Sequence, residues 1–180
     1  MSKTHERLGL GAFIEELPDE ASYLAAHPQP VLLVEPSRAS FAVSDANGET
    51  QHGDAWDETA SDGTRRIDPE AQVAWLEKTG ASDDSKAVTV GRSRKSDVVL
   101  RHGEVSKRHA ALRPLVQDLW VIEDLGTTNG TFVDEVPVPA SESLRLQDGA
   151  RIRFGTGIVA TFFSPASFWA FCSHVRDQSS

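Results

Sequence analysis

Cysteine is almost missing from this sequence. Cys172 stands alone, so no internal disulfide can form, and a reducing, cytoplasmic compartment is expected. Long apolar runs are missing too. No stretch reaches membrane-spanning length, and IVATFF, residues 158–163, reads as a strand. Near the N-terminus, HERLGLGAFIEEL lacks an apolar core of signal-peptide length. Excess positive charge is lacking as well. The net charge is −9, and it is uneven: residues 1–85 carry −11 and residues 86–180 carry +2. That balance argues against non-specific nucleic-acid binding, yet it allows a local basic pocket for an anion. The chain also lacks a nucleophile elbow, a metal-ligand cluster and the phosphate loop of nucleotide enzymes. No catalysis, cofactor, metal, nucleic acid or membrane partner is therefore expected. A Ser106–His109–Asp124 hydrolase is the enzymatic alternative, and it would need an oxyanion hole and an oriented base.

What is present divides into three stretches. Residues 1–29 form an extension that is helical in pieces: Leu10, Phe13, Ile14 and Leu17 follow helical spacing, and Pro18-Asp19-Glu20 is a helix start. PVLLVEP, residues 30–36, reads as a strand bounded by prolines. Residues 37–69 are polar, acidic and dotted with glycine, which suits a long exposed loop. In DPEAQVAWLEK, the Asp68-Pro69 pair suits a helix start, while VAWL suits a strand; the local pattern leaves both open. From Ala87 onward AVTV, VVL, HAALRPL, LWVIEDL, TFVDEVPV, LRL, ARIRF and IVATFF are short β-favouring runs. Turn residues separate them about every ten positions, the pattern of an antiparallel sandwich. SPASFWAFCSHV then predicts a helix capped by Ser164, with Phe168, Phe171, Cys172 and Val175 on one face. Residues 164–180 would be this helix and a tail packed on the sandwich.

Three loops hold the informative chemistry. VGRSRKSD brings Arg92 directly after Gly91. EVSKRHAAL brings Ser106, Lys107 and His109. DLGTTNGTFV brings Thr127, Thr128 and the Asn129-Gly130 turn. Loops at one end of a sandwich can converge. Arg92 is a forked, permanent cation, Ser106 and Thr128 are hydroxyl donors, Lys107 is a mobile cation, and Asn129 both donates and accepts. That set suits a phosphate on a peptide, since phosphate carries about −1.5 to −2 charge and three strong acceptors. Lys107 could equally be a solvated rim residue.

The order of these motifs resembles the forkhead-associated (FHA) family: Gly91-Arg92, then Ser106-Lys107-Arg108-His109, then Asp124 to Phe132, then LQDGARIRFG from Leu146 to Gly155. The resemblance covers about residues 86–163 and suggests a small, bacterial-type, single-domain member. It implies an all-β sandwich of about eleven antiparallel strands over residues 30–163, with 37–69 as a loop insertion and VAWLEK as a strand. It further implies phosphothreonine-peptide binding: Arg92 and Ser106 on the phosphate, Thr128 and Lys107 assisting, Asn129 on the peptide main chain. Gly91, His109 and Gly130 would shape the loops. Thr127 stands where the family usually has serine, and Asp134 where asparagine is frequent. The implied role is an adaptor for phosphothreonine proteins, such as a serine/threonine kinase or its substrates. The alternative is an FHA scaffold that binds partners without phosphate. Thr59, followed three residues later by Asp62, is a regulatory candidate through which a phosphorylated loop could drive self-association.

Overall fold

The computed structural model describes residues 8–36, 70–79, 87–116 and 119–178. Among them the chain runs through β1 (Leu8–Gly9), α1 (Leu10–Glu15), α2 (Glu20–Ala26), β2 (Val31–Val34), β3 (Gln72–Trp75), β4 (Val88–Gly91), β5 (Val98–Val99) and β6 (Ala110–Pro114). It continues through β7 (Trp120–Asp124), β8 (Thr131–Val133), β9 (Val136–Pro137), β10 (Ser143–Leu146), β11 (Arg151–Phe154), β12 (Ile158–Phe163) and α3 (Pro165–Gln178). The acidic segment 37–69, with Thr59, lies outside the described residues. No helix among them is long and apolar enough to cross a membrane.

The strands form two sheets, ordered β1-β3-β2-β12-β11-β8-β9 and β10-β7-β6-β4-β5. Every pairing is antiparallel except β4 with β5, which is parallel. Side chains alternate between the two faces of a strand, and this alternation builds two cores. Leu32, Val34 and Ala74 point between the sheets, where they meet Val88, Val90, Leu112, Ile122, Ile152 and Phe154. Val31, Leu33 and Val73 point the other way and meet Leu10, Phe13, Leu17, Tyr23, Phe168 and Cys172 from the helices. Thus all of VLLV is buried, because this strand has a partner layer on both faces.

The helices begin where the sequence signals them. Asp19 caps α2 by accepting from the Ser22 N–H at 3.0 Å. Ser164 caps α3 by accepting from the Ser167 N–H at 3.3 Å. Asp148 ties that start to the β10–β11 turn by accepting from the Ser164 N–H at 2.7 Å and the Ser167 hydroxyl at 3.0 Å. The far side is pinned as well: the Trp169 indole donates to the Pro18 carbonyl and Arg176 to that of Leu17. The Cys172 thiol lies in this apolar layer, and burial pushes its pKa up to about 12.

The strand expected at VAWLEK is formed by Gln72–Trp75, where pairing with β2 decides what the local pattern left open. Two details differ from the sequence expectation. TFVDEVPV is not one run but the β8–β9 hairpin, turned by Asp134 and Glu135 at φ 48° and 64°. Leu8–Gly9 pairs with β3, so the N-terminal extension adds an edge strand and raises the described strands to twelve.

Candidate functional site

The β4–β5 and β5–β6 loops are laced together by backbone. The Arg92 N–H donates to the Ser106 carbonyl at 2.9 Å and the Ser93 N–H to that of Lys107 at 3.1 Å. The Arg92 Nε donates to the Val105 carbonyl at 3.2 Å, and the Ser96 hydroxyl to that of Lys107 at 3.2 Å. Such close approach requires Gly91: a Cβ there would collide with the Lys107 carbonyl oxygen.

His109 joins these loops to the third. Its Nδ1 accepts from the Ser106 N–H at 3.0 Å, and its Nε2 lies 3.1 Å from the Gly130 carbonyl, to which it donates. The ring is fully buried and meets Phe154 edge-on. Both bonds require the neutral tautomer, because a proton on Nδ1 would face the Ser106 N–H. Burial lowers the imidazole pKa below 6.5, against the opposing pull of the Gly130 carbonyl and Asp124. Ser106 and His109 are therefore not a nucleophile–base pair: the ring holds the serine backbone, and both nitrogens are engaged.

The β7–β8 turn is built on Asp124. Its carboxylate accepts from the Gly126 and Thr127 N–H groups at 2.9 Å each, and from the Thr127 and Thr131 hydroxyls at 2.7 and 2.6 Å. Burial alone would raise its pKa; these bonds outweigh burial and hold it below the usual carboxylate value. The Thr127 Oγ1 in turn accepts from the Gly130 N–H at 2.9 Å. Gly130 takes φ 79°, which completes the bend.

Four polar ends are left over at the rim. The Arg92 terminal nitrogens, the Ser106 and Thr128 hydroxyls and the Lys107 ammonium have no partner among the described residues. Arg92, Lys107 and Thr128 are exposed and Ser106 is half-buried. Asn129 stands beside them with its amide nitrogen donating to the Glu104 carbonyl at 3.2 Å and the Glu104 Oε2 at 2.8 Å. Gly91, His109 and Gly130 thus knit the three loops, Asn129 adds a bridge from the β7–β8 turn to Glu104, and the ends of Arg92, Ser106, Lys107 and Thr128 are left over. Sequence reasoning missed Glu104 and the structural use of Asp124. The only signal for Asp124 was its place ahead of Thr127 and Thr131; nothing marked Glu104.

Residues 88–155 match the family model of the FHA domain. The chain is similar to the FHA domain-containing protein FhaB of Mycolicibacterium smegmatis, 36% identical over 75 residues, covering 42% of this chain and 46% of that one. It is also similar to the oxoglutarate dehydrogenase inhibitor of Corynebacterium efficiens, 33% identical over 84 residues, covering 47% and 56%. Each match thus spans about half the length of the relative. Among solved structures, Mycobacterium tuberculosis EmbR in complex with a low-affinity phosphopeptide aligns at 27% identity and TM-score 0.42, over 51% of this chain and 21% of that one. The four motifs stand in order within the two-sheet sandwich, and residues 88–155 are the stretch that is similar to an FHA domain.

Proposed function

We propose that the rim binds phosphothreonine peptides and that the chain is an adaptor in serine/threonine kinase signalling. One observation carries this reading: cationic and hydroxyl donors project, without partners among the described residues, from loops that a hydrogen-bonded scaffold already holds in place. Arg92 and Ser106 would take the phosphate oxygens, with Thr128 and Lys107 beside them, and the Asn129 amide would meet the peptide main chain. Donors fixed before the ligand arrives lose little freedom on binding, so more of the contact energy appears as affinity. The partners would be phosphothreonine proteins, such as a kinase or its substrates, and the setting cytoplasmic. The test is calorimetry with matched phosphorylated and unphosphorylated peptides. Binding of the phosphorylated form alone is expected; equal binding of both would favour an FHA scaffold that works without phosphate.

The same chemistry extends to Thr59. Phosphorylated, it would be a tethered ligand at an effective concentration in about the millimolar range. Phosphorylation followed by site mapping and sizing is expected to shift oligomeric state or external peptide affinity in the native chain but not in Thr59→Ala. No shift would leave the acidic segment as a solvated spacer.

A further inference from the structure

The loop that carries Ser106 also carries an acid for which the phosphate reading has no use. The Glu104 Oε2 accepts from the Asn129 amide at 2.8 Å and from the Thr156 hydroxyl at 3.1 Å. With the Glu104 carbonyl as second acceptor, both Asn129 amide hydrogens are engaged. The opposite flip would set the Asn129 Oδ1 against a carboxylate and a carbonyl, so the amide has one orientation here. The atom it has left to offer is Oδ1, an acceptor suited to a peptide N–H rather than a peptide C=O.

The carboxylate differs from its neighbours in charge as well. Between Arg92 and Arg108 the sequence has six cations and two acids, Asp97 and Glu104. The Asp97 side chain is covered and bonded to Lys78, Thr79 and Thr89. Glu104 is half-buried and touches only neutral donors among the described residues, so its charge is not neutralised by a protein cation. A bound peptide passing Asn129 would meet that charge.

We propose that Glu104 is a positioning and specificity residue: it holds Asn129 as an acceptor and favours phosphothreonine peptides with Lys or Arg, over Asp or Glu, at the position that passes Asn129. This rests on the phosphopeptide reading above. The test uses phosphothreonine peptides with alanine flanks, replacing one flanking position at a time by Lys or Asp. At one position the Lys peptide is expected to bind about three- to tenfold tighter, with the difference shrinking as salt rises. Glu104→Gln keeps an acceptor for Asn129 and Thr156 without the charge. It should erase that preference while retaining dependence on the phosphate. Glu104→Ala, which leaves the Asn129 amide only the backbone carbonyl of residue 104, should weaken Lys and Asp peptides alike. A preference that survives in Glu104→Gln, or its absence at every position in the native chain, overturns the inference. Failure of every phosphorylated peptide to bind would instead overturn the functional reading beneath it.

Discussion

Arg92 and His109 flank the same pair of loops around β5 and differ in role. Among the described residues, the Arg92 side chain gives only its Nε to the fold, so its terminal nitrogens are available. A hydrogen bond to a charged group is worth about 1.5–3 kcal/mol, so Arg92→Ala should weaken phosphothreonine binding about ten- to a hundredfold. Arg92→Lys should recover only part of it, since a point charge lacks the fork; calorimetry on both variants checks this. His109 spends everything on the fold. Its loss leaves the Ser106 N–H without its acceptor and the Gly130 carbonyl with only the Gly155 N–H, and His109→Ala should cost about 1–3 kcal/mol, several degrees in a thermal melt. Its pH signature follows from its lowered pKa. The unfolded chain binds a proton near pH 6.5 that the folded chain resists, so this contribution is fully present above the unfolded pKa. It is lost as pH falls below that value toward the folded pKa. Melts should therefore drop between about pH 7 and pH 5, before the usual carboxylate range, and His109→Ala should flatten that step.

At the scale of elements, the loops hold their shape through atoms rather than through length. Gly91 touches the Lys107 backbone, so Gly91→Ala must push the β4–β5 and β5–β6 loops apart. It should lower both stability and peptide affinity, read by melting and calorimetry together. Asp124 anchors the turn through Gly126, Thr127 and Thr131. This explains why only the second of the paired threonines is free for a ligand: Thr127 is consumed in holding Gly130. Much of this end was legible in sequence because the glycines, the Asn-Gly turn and Arg92 lie in short contiguous motifs. Glu104 was not, since its partners Asn129 and Thr156 are distant in sequence and meet it only through the fold. The β8–β9 hairpin was hidden for a local reason. Its turn uses Asp134 and Glu135 at positive φ, where glycine or asparagine would have marked it. The VAWL segment was ambiguous because four apolar positions are too few to separate a strand period from a helical one.

At the scale of the molecule, the rim loops rest on a sandwich whose first sheet is covered on its outer face by α1, α2 and α3. Phe168 is wholly buried there, against Phe13, Tyr23 and Phe163. Phe168→Ala should cost about 3–5 kcal/mol, although it lies outside residues 88–155 and touches none of the rim residues. Denaturant unfolding should show the loss, with phosphopeptide affinity retained in the folded fraction. Residues 10–26 and 165–178 thus pack on the first sheet, a placement the sequence suggested for the C-terminal helix but not for Leu10 and Phe13. The central claim is that this folded unit presents a phosphate-reading rim. It is tested most directly by titrating the chain with one peptide in three forms: phosphothreonine, phosphoserine and unmodified threonine. The phosphothreonine form is expected to bind, the phosphoserine form to bind several-fold more weakly because about 0.8 kcal/mol of methyl burial is lost, and the unmodified form not to bind. Equal heats for phosphorylated and unmodified peptides would contradict it.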